Sequence, residues 1–518
     1  MLMTAADYRE SLRAYKPRVF VEGERIESVA DSAILRPGIN AIGVTYDLAR
    51  VAEHAEVMTA RQHTSGKIVN RMVHVDRDSS DLLAKLEAVR LACKISGCAQ
   101  RYLTHDAFCG IFQATKLADD VHGTDYHQRF LAYMHDAQDR DLTLGVAMTD
   151  AKGDRSKRPG QQENRDAYVH IKERRKDGIV ISGAKAIVTG APYMHEFLVM
   201  PCRTHTKEDA DFAVCCAVPV DAEGVTIVAR KAGRPGEPAA KFSGKYGQST
   251  GVVLFEDVFV PWERVFMAGE TEEAGYLTTS YATHHRQTCI GARAGFGDLL
   301  IGAGALMIEA NGLDPAKHGH IREDMVELIK IVEGFYACGI AASVHATRET
   351  AGNVMPDVVF SNIGKLLLAT QIYDMHRLAH TVSGGLIVTL PGPAEDHNPE
   401  TAGSLAAVLG ARADIPYANR MEVARFVEDL TVSDQAGWYS VISMHGGGSP
   451  EAMKREIWRN YPVMEKVELV EALLERGVLD DGRRVSKQPG RCCVPGCTVR
   501  DLPGVEAKPT LAVTEAAE

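Results

Sequence analysis

The sequence predicts an α+β fold in three consecutive blocks: helical, then β, then helical. Three observations carry that prediction. Over residues 1–142 apolar side chains recur at helical spacing. Over 143–270 short β-branched runs alternate with Gly and Pro. Over 271–475 the helical spacing returns.

The first block opens with a helix start, Thr4 followed by Asp7 at the capping distance. Its clearest helix lies in 82–98, where Leu82, Leu86, Val89 and Cys93 share one face. That face is expected to continue through Cys98, Tyr102 and His105. In the second block, runs at 168–173 and 179–181 flank Asp177-Gly178, a hairpin signal. Further strands are expected at 197–201, 212–219, 225–228 and 252–260, which together make a sandwich or barrel. In the third block Met325, Ile329, Val332 and Tyr336 form one stripe of a long helix. A second helix runs over 363–382 and ends at Gly384-Gly385, and two more cover 418–434 and 449–474. The tail 476–518 has no period and reads as extended or disordered, free to cross a neighbouring subunit.

Composition excludes several classes. Apolar residues at 45% and charged residues at 25% are the balance of a soluble globular chain. The net charge of −11, without a Lys/Arg block, argues against a nucleic-acid partner. No apolar run reaches the roughly eighteen residues of a membrane span, so no membrane partner is expected. The N-terminus lacks a basic stretch before an apolar one, so a cytoplasmic location is expected. The 11 cysteines are an odd set; Cys202, Cys215, Cys216 and Cys338 lie in apolar segments and read as buried reduced thiols. Cys492, Cys493 and Cys497 have no nearby His to complete a metal site. No G-x-G-x-x-G follows a strand, so the chain is not expected to hold its own nicotinamide.

Several runs carry a family resemblance. They are Ala147-Met148-Thr149-Asp150-Ala151-Lys152-Gly153-Asp154-Arg155, Ser182-Gly183-Ala184-Lys185 with Val188-Thr189-Gly190, and Val258-Phe259-Val260-Pro261. Later come His285-Arg286-Gln287, Gly295-Phe296-Gly297-Asp298, Ser383-Gly384-Gly385 and Ser443-Met444-His445-Gly446. In this order the chain resembles the superfamily of 4-hydroxybutyryl-CoA dehydratases and 4-hydroxyphenylacetate hydroxylases, and the dehydratase branch most. The resemblance covers about residues 1–475 and implies an acyl-CoA dehydrogenase-like scaffold that binds FAD between its β-domain and C-terminal helices. It implies that Met148, Thr149, Asp150, Lys152, Asp154, Val188, Thr189 and Gly190 hold the cofactor. Gly384 and Gly385 would reach the flavin of another subunit, so a homotetramer or homodimer is implied.

The dehydratases also carry a [4Fe–4S] cluster on three Cys and one His, and here that ligand set is broken. Cys98 and His285 stand at two ligand positions, but Tyr102 and Ala292 stand at the others. An alanine methyl cannot ligate iron. Metal ligation is therefore not expected, although Cys289, His105 and Cys109 leave a rearranged site open. Cys289 and Arg293 also replace a Tyr and a Lys that accompany the cluster, while two catalytic Glu positions fall at or near Thr250 and Ile442. His285 is the residue the resemblance favours as general base or polariser. Arg101 matches an Arg that holds the phenol in the hydroxylases, with His105 in place of a Tyr and Val146 in place of a His. Tyr102 is a candidate hydrogen-bond donor in the space of the missing thiolate.

The implied function is an FAD-dependent oxidoreductase. The first reading is a two-component monooxygenase, served by a separate flavin reductase and acting on a small aromatic or acyl-thioester (CoA) substrate. The alternative is a cluster-free lyase or vinylacetyl-CoA Δ-isomerase. A flavoprotein without turnover is the third.

Overall fold

The computed structural model describes residues 2–474, so the tail 476–518 and its cysteines lie outside the described residues. The β-part is a sandwich. One sheet has six strands in the order Glu24–Ile26, Arg18–Val21, Val225–Ala229, Thr250–Pro261, Gly178–Thr189 and His170–Arg174. The other has four, in the order Val265–Ala268, Val214–Pro219, Glu196–Val199 and Leu144–Ala147. The Asp177-Gly178 hairpin forms as expected, with Arg175 N–H donating to the Gly178 carbonyl at 2.8 Å. The strands at 18–26 were not legible. They precede a helical stretch, yet Arg18–Val21 pairs in parallel with Val225–Ala229 and extends the larger sheet.

The smaller sheet is buried on both faces. Phe197 and Val199 join the core between the sheets. Leu198 and Met200, one residue out of phase, pack with Phe108, Ile111 and Phe130 of the helices behind. That position between sheet and helices is why residues 214–218 read as a continuous apolar run, without alternation.

The helical part is centred on Thr271–Ala310, a helix of 40 residues. Among the described residues it is the one helix apolar enough to cross a membrane by composition. It is instead the core helix, packed by Ser79–Ser96, Tyr102–His122, Gly319–Val344 and Val358–Ser383. Its approach to Ser79–Ser96 depends on small residues: a Cβ on Gly291 would lie 2.6 Å from the Leu86 carbonyl, and one on Gly295 would lie 2.6 Å from Arg90 O and Lys94 N.

Three expectations are corrected. The 82–98 face does not continue into residue 102, because Gly97 takes φ 70° and ends helix Ser79–Ser96. Cys98 lies in the turn that follows, and Tyr102 and His105 belong to a new helix, Tyr102–His122. The buried stripe of Gly319–Val344 is Leu328, Ile331, Val332 and Phe335, while Ile329 is exposed and Met325 and Tyr336 are half-buried. The stretch 418–434 covers Tyr417–Thr431 and the start of Asp434–His445, and 449–474 divides into Pro450–Asn460 and Val463–Leu473.

Gly→Ala ordinarily stabilises a helix by about 1 kcal/mol. At Gly302, where an added Cβ meets nothing within 4 Å, we expect that gain. At Gly295 the backbone contact reverses the sign, with a loss of about 1–3 kcal/mol. Denaturant unfolding of the two variants beside the parent checks the opposite signs.

Candidate functional site

Two helices build the centre of the site. Tyr102–His122 carries Tyr102, His105, Asp106 and Cys109 one turn apart, and Thr271–Ala310 carries Tyr281, His285, Cys289 and Arg293 at four-residue steps. Where they meet, His285 Nδ1 donates to Asp106 Oδ2 at 2.9 Å. The other carboxylate oxygen accepts from Thr288 Oγ1 at 2.7 Å. His285 lies between two phenol rings, Tyr281 at 5.4 Å and Tyr102 at 6.1 Å between centroids. Its Nε2 faces Cys289 Sγ at 3.5 Å.

Behind this pair lies a second one. Lys85, fully buried, places Nζ 3.1 Å from Asp76 Oδ2 and 4.0 Å from Asp106 Oδ1. His105 bridges Asp76 and the Arg71 carbonyl, with Nε2 2.9 Å from Asp76 Oδ2 and Nδ1 2.7 Å from the carbonyl. Asp76, His105 and Cys109 have the ligand types of a metal site and sit close together. The Lys85 ammonium already occupies that carboxylate, and a second cation there would be repelled.

The electrostatics follow from burial and partners. Burial opposes charge on His285, but Cys289 and Asp106 outweigh it and push the imidazole up to about 10. Cys289 moves the other way: burial raises it, and His285, Lys365 and Arg293 together bring it below the ordinary thiol range. Cys98, hydrogen-bonded by Cys93 and near Arg293, is lowered to about 5, while Cys93 is raised. Burial lowers Lys365 to about 8.

A group of buried polar atoms without partners surrounds the Cys98 turn: Gln100 Nε2, Gln248 Oε1, Gln435 Nε2, Tyr439 OH and Arg293 Nη1. Contacts place them together. Gln248 Nε2 donates to the Cys98 carbonyl and Gln248 N–H to Gln435 Oε1. Tyr439 OH lies against Gly97, and the Gln100 amide against Gly190. Each such atom costs about 1–3 kcal/mol when it has no partner. Five in one seam, between the 188–190 turn and the C-terminal helices, mark a binding site for a polar ligand.

The structure separates the residues that sequence reasoning grouped. Cys98, Tyr102, His285 and Arg293 come together, with Tyr102 OH 3.4 Å from Cys98 Sγ. Arg101 does not join them: it stacks on Tyr46 at 3.8 Å and donates to the Asp141 carbonyl at 3.0 Å. His105 faces Asp76, and Val146 is packed in the core. Met148 and Asp150 are pinned by Lys185, whose Nζ reaches the Met148 carbonyl at 2.8 Å and Asp150 Oδ1 at 2.7 Å. Thr149 accepts from Ala186 N–H at 2.8 Å. Lys152 takes φ 74°, and its carbonyl accepts from Tyr168 OH. Asp154 is exposed and caps Ser156. Val188 is buried, Thr189 half-buried, and Gly190 N–H donates to the Ser249 carbonyl at 2.9 Å. Gly384 and Gly385 are exposed at the far end of helix Val358–Ser383. Lys365 marks the site on that helix, and the 18 residues from it to Ser383 span about 27 Å at 1.5 Å per residue.

Asp106, Lys85, Asp76, Lys185 and Lys365 were missed. Lys85 had a signal: it interrupts the apolar face of Leu82, Leu86 and Val89. Asp106 had one too, an acid directly before the apolar Ala107-Phe108-Cys109 run of its helix.

Fold and site together define an α–β–α enzyme scaffold with a ligand seam between sandwich and C-terminal helices and an ionisable cluster beneath it. The chain belongs to the 4-hydroxyphenylacetate 3-hydroxylase family. The N-terminal model of that family matches residues 4–267 and the C-terminal model residues 274–475. The chain is 36% identical over 488 residues to the 4-hydroxybutyryl-CoA dehydratase/vinylacetyl-CoA-Delta-isomerase of Clostridium aminobutyricum, covering 91% of this chain and 99% of that one. It is 24% identical over 443 residues to the 4-hydroxyphenylacetate 3-monooxygenase oxygenase component of Geobacillus sp. (strain PA-9), covering 83% and 88%. Among solved structures, an oxygen-tolerant 4-hydroxybutyryl-CoA dehydratase from N. maritimus superposes with a TM-score of 0.90 at 33% identity, over 95% and 99% of the two chains. The FAD complex of the 4-hydroxyphenylacetate 3-monooxygenase oxygenase component (HpaB) gives 0.81 at 22%, over 91% and 98%, a likeness of fold.

His285 on its own stabilises the fold fully below its unfolded pKa of about 6.5 and loses that contribution as pH rises through about 10. Cys289, depressed, has the opposite sign: its contribution is present above about 8.5 and is lost as pH falls. Above about 8.5 Cys289 is ionised in both states and no longer offsets His285, so the net alkaline loss falls between about 8.5 and about 10. Asp106→Asn removes the carboxylate that helps hold the imidazolium. We expect a lower thermal midpoint in that variant and an alkaline decline that starts at lower pH, as read from unfolding curves across pH.

Proposed function

We propose that this chain is an FAD-dependent enzyme that relocates a double bond beside an acyl-thioester carbonyl, a cluster-free counterpart of the isomerase activity in the name of its Clostridium relative. The observation that carries it is the His285–Asp106 pair set beneath five unpartnered polar atoms. The seam suits a flavin. Gln100, Gln248 and Gln435 offer amide groups, and Thr189 and Gly190 border them from the β-part. Met148 to Asp150 are held by Lys185 at the mouth of the sandwich. FAD, when bound, supplies the site's electron acceptor and donor.

The chain's own residues divide the remaining work. Protonated His285 donates a proton, and Asp106 holds its Nδ1–H so that Nε2 faces the seam. Arg293 receives negative charge on the thioester oxygen through its unpartnered Nη1. Tyr281 and Tyr102 fix the imidazole plane and keep water from it. Tyr102 and Ala292 leave two ligand positions of the relatives' cluster without the thiolates that hold such clusters, so we assign no iron–sulfur cluster to the site. Gly384 and Gly385, about 27 Å along their helix from Lys365, meet a flavin only across a subunit boundary, which supports an oligomer.

A second reading is a reduced-flavin monooxygenase served by a separate reductase, as in relatives named oxygenase components. It is favoured by the absent iron ligands, which leave the flavin as the redox group. It is weakened by Arg101 and His105, both engaged elsewhere in the core.

The two separate by their need for oxygen. Protein purified without air should contain flavin and no iron, and should convert vinylacetyl-CoA to its conjugated isomer under argon. His285→Ala should lower that rate about 10²- to 10⁴-fold. No conversion under argon, with oxygen uptake when reduced FAD and a phenol are supplied, would establish the second reading instead.

A further inference from the structure

Cys289 has the surroundings of a working thiolate. Its Sγ lies 3.5 Å from His285 Nε2, and the opposite ring nitrogen is held by Asp106 at 2.9 Å. That is the order thiol, imidazole, carboxylate, in which the base is oriented by a third group. The charges that face it are His285, Arg286 and Arg293 on its own helix, Lys365 on Val358–Ser383 and the Tyr102 phenol on Tyr102–His122. Four of these five groups are cationic, and Asp106 compensates His285. Glu456 also faces Arg286 and Cys98 also faces Arg293, which leaves the cations of this group in the majority and Sγ of Cys289 in a field that favours an anion. Cys289 and His285 also keep a little exposed surface, 8% and 6%, where Thr288 and Ile290 beside them keep none. Thiol and imidazole therefore keep the accessible edge of this helix, one turn before Arg293, whose Nη1 belongs to the seam.

We propose that Cys289 is the proton acceptor of this site, working as a thiolate beside the His285 imidazolium. The inference rests on the acyl-thioester reading above. The thiolate takes a proton from the carbon next to the thioester carbonyl, and the C–H electron pair becomes an enolate whose oxygen charge faces Arg293. The enolate carbon two positions further out then takes the Nε2 proton of His285, and the double bond moves into conjugation. The proton on Cys289 passes back to Nε2 across the 3.5 Å contact. Substrate and enzyme end with the protons and electrons they began with.

Two measurements test the assignment and fail separately. In the first, vinylacetyl-CoA is incubated in D2O under argon with the FAD-loaded enzyme, and deuterium uptake is followed by mass spectrometry. Cys289→Ser should reduce uptake about 10²- to 10⁴-fold with FAD content and KM unchanged, and Cys289→Asp, which restores a base, should recover part of it. Uptake in Cys289→Ser equal to the parent would overturn the proposal. The second needs no substrate: iodoacetamide labelling of Cys289 at pH 6, located by peptide mass. We expect labelling at least ten times faster in the parent than in His285→Gln. Equal rates, no labelling of the parent, or iron bound through Cys289 would each overturn it. Labelling as expected without isomerisation of any acyl-CoA would leave the thiolate standing and remove the acyl-thioester reading.

Discussion

Lys85 has no exposed surface, and its ammonium lies between two buried carboxylates, Asp76 at 3.1 Å and Asp106 at 4.0 Å. Each carboxylate holds a histidine, His105 on one side and His285 on the other. Burial alone would strip these groups of charge, but the partners prevail: Asp76 and Asp106 are lowered and Lys85 is raised. Removing one member of such a set leaves an unpaired charge in the core, at a cost of about 3–5 kcal/mol. The network thus binds three helices and the 71–76 segment into a unit. It also fixes the orientation of the His285 ring through Asp106.

The arrangement explains which parts of the molecule were legible in the sequence. Strands such as Thr250–Pro261 and the Asp177-Gly178 hairpin announce themselves by local rules, alternation and turn chemistry. Arg18–Val21 does not, because its place in the sheet comes from a parallel pairing with residues more than two hundred positions away. The flavin-side runs were visible by resemblance. The charge network was not, since Asp76, Lys85 and Asp106 lie far apart in sequence from His285 and look like ordinary polar residues until the helices close. Arg101 shows the converse. A family position suggested a substrate contact, and the folded chain uses the guanidinium to bind the 141–142 carbonyls.

The glycines of the central helix connect packing to the site. Gly291 and Gly295 let Ser79–Ser96 approach until backbones touch. Cys289 lies two residues before the first of them and Arg293 between the two, so the same close approach brings Lys85 and Cys93 within range of the cluster. A wider spacing would open room for water around Lys85 and weaken the attractions that hold it. Helix packing and side-chain charge are therefore one constraint here.

Tyr102 brings the consequences together. Its hydroxyl lies 3.4 Å from Cys98 Sγ and its ring lies nearly parallel to that of His285. The phenol thus fills the ground between two residues, Cys98 and His285, that the family resemblance marks as cluster-ligand positions. A close-packed ring and a metal cluster cannot share that volume. On the proposed cluster-free thioester chemistry, acidity at the substrate would come from fixed cations, and Arg293 and Lys365 are buried within reach of the same seam. Fixed cations in turn favour an anion at the neighbouring thiol. The tyrosine that excludes the cluster and the cysteine that becomes a base are, on this account, two parts of one change in chemistry on an unchanged scaffold.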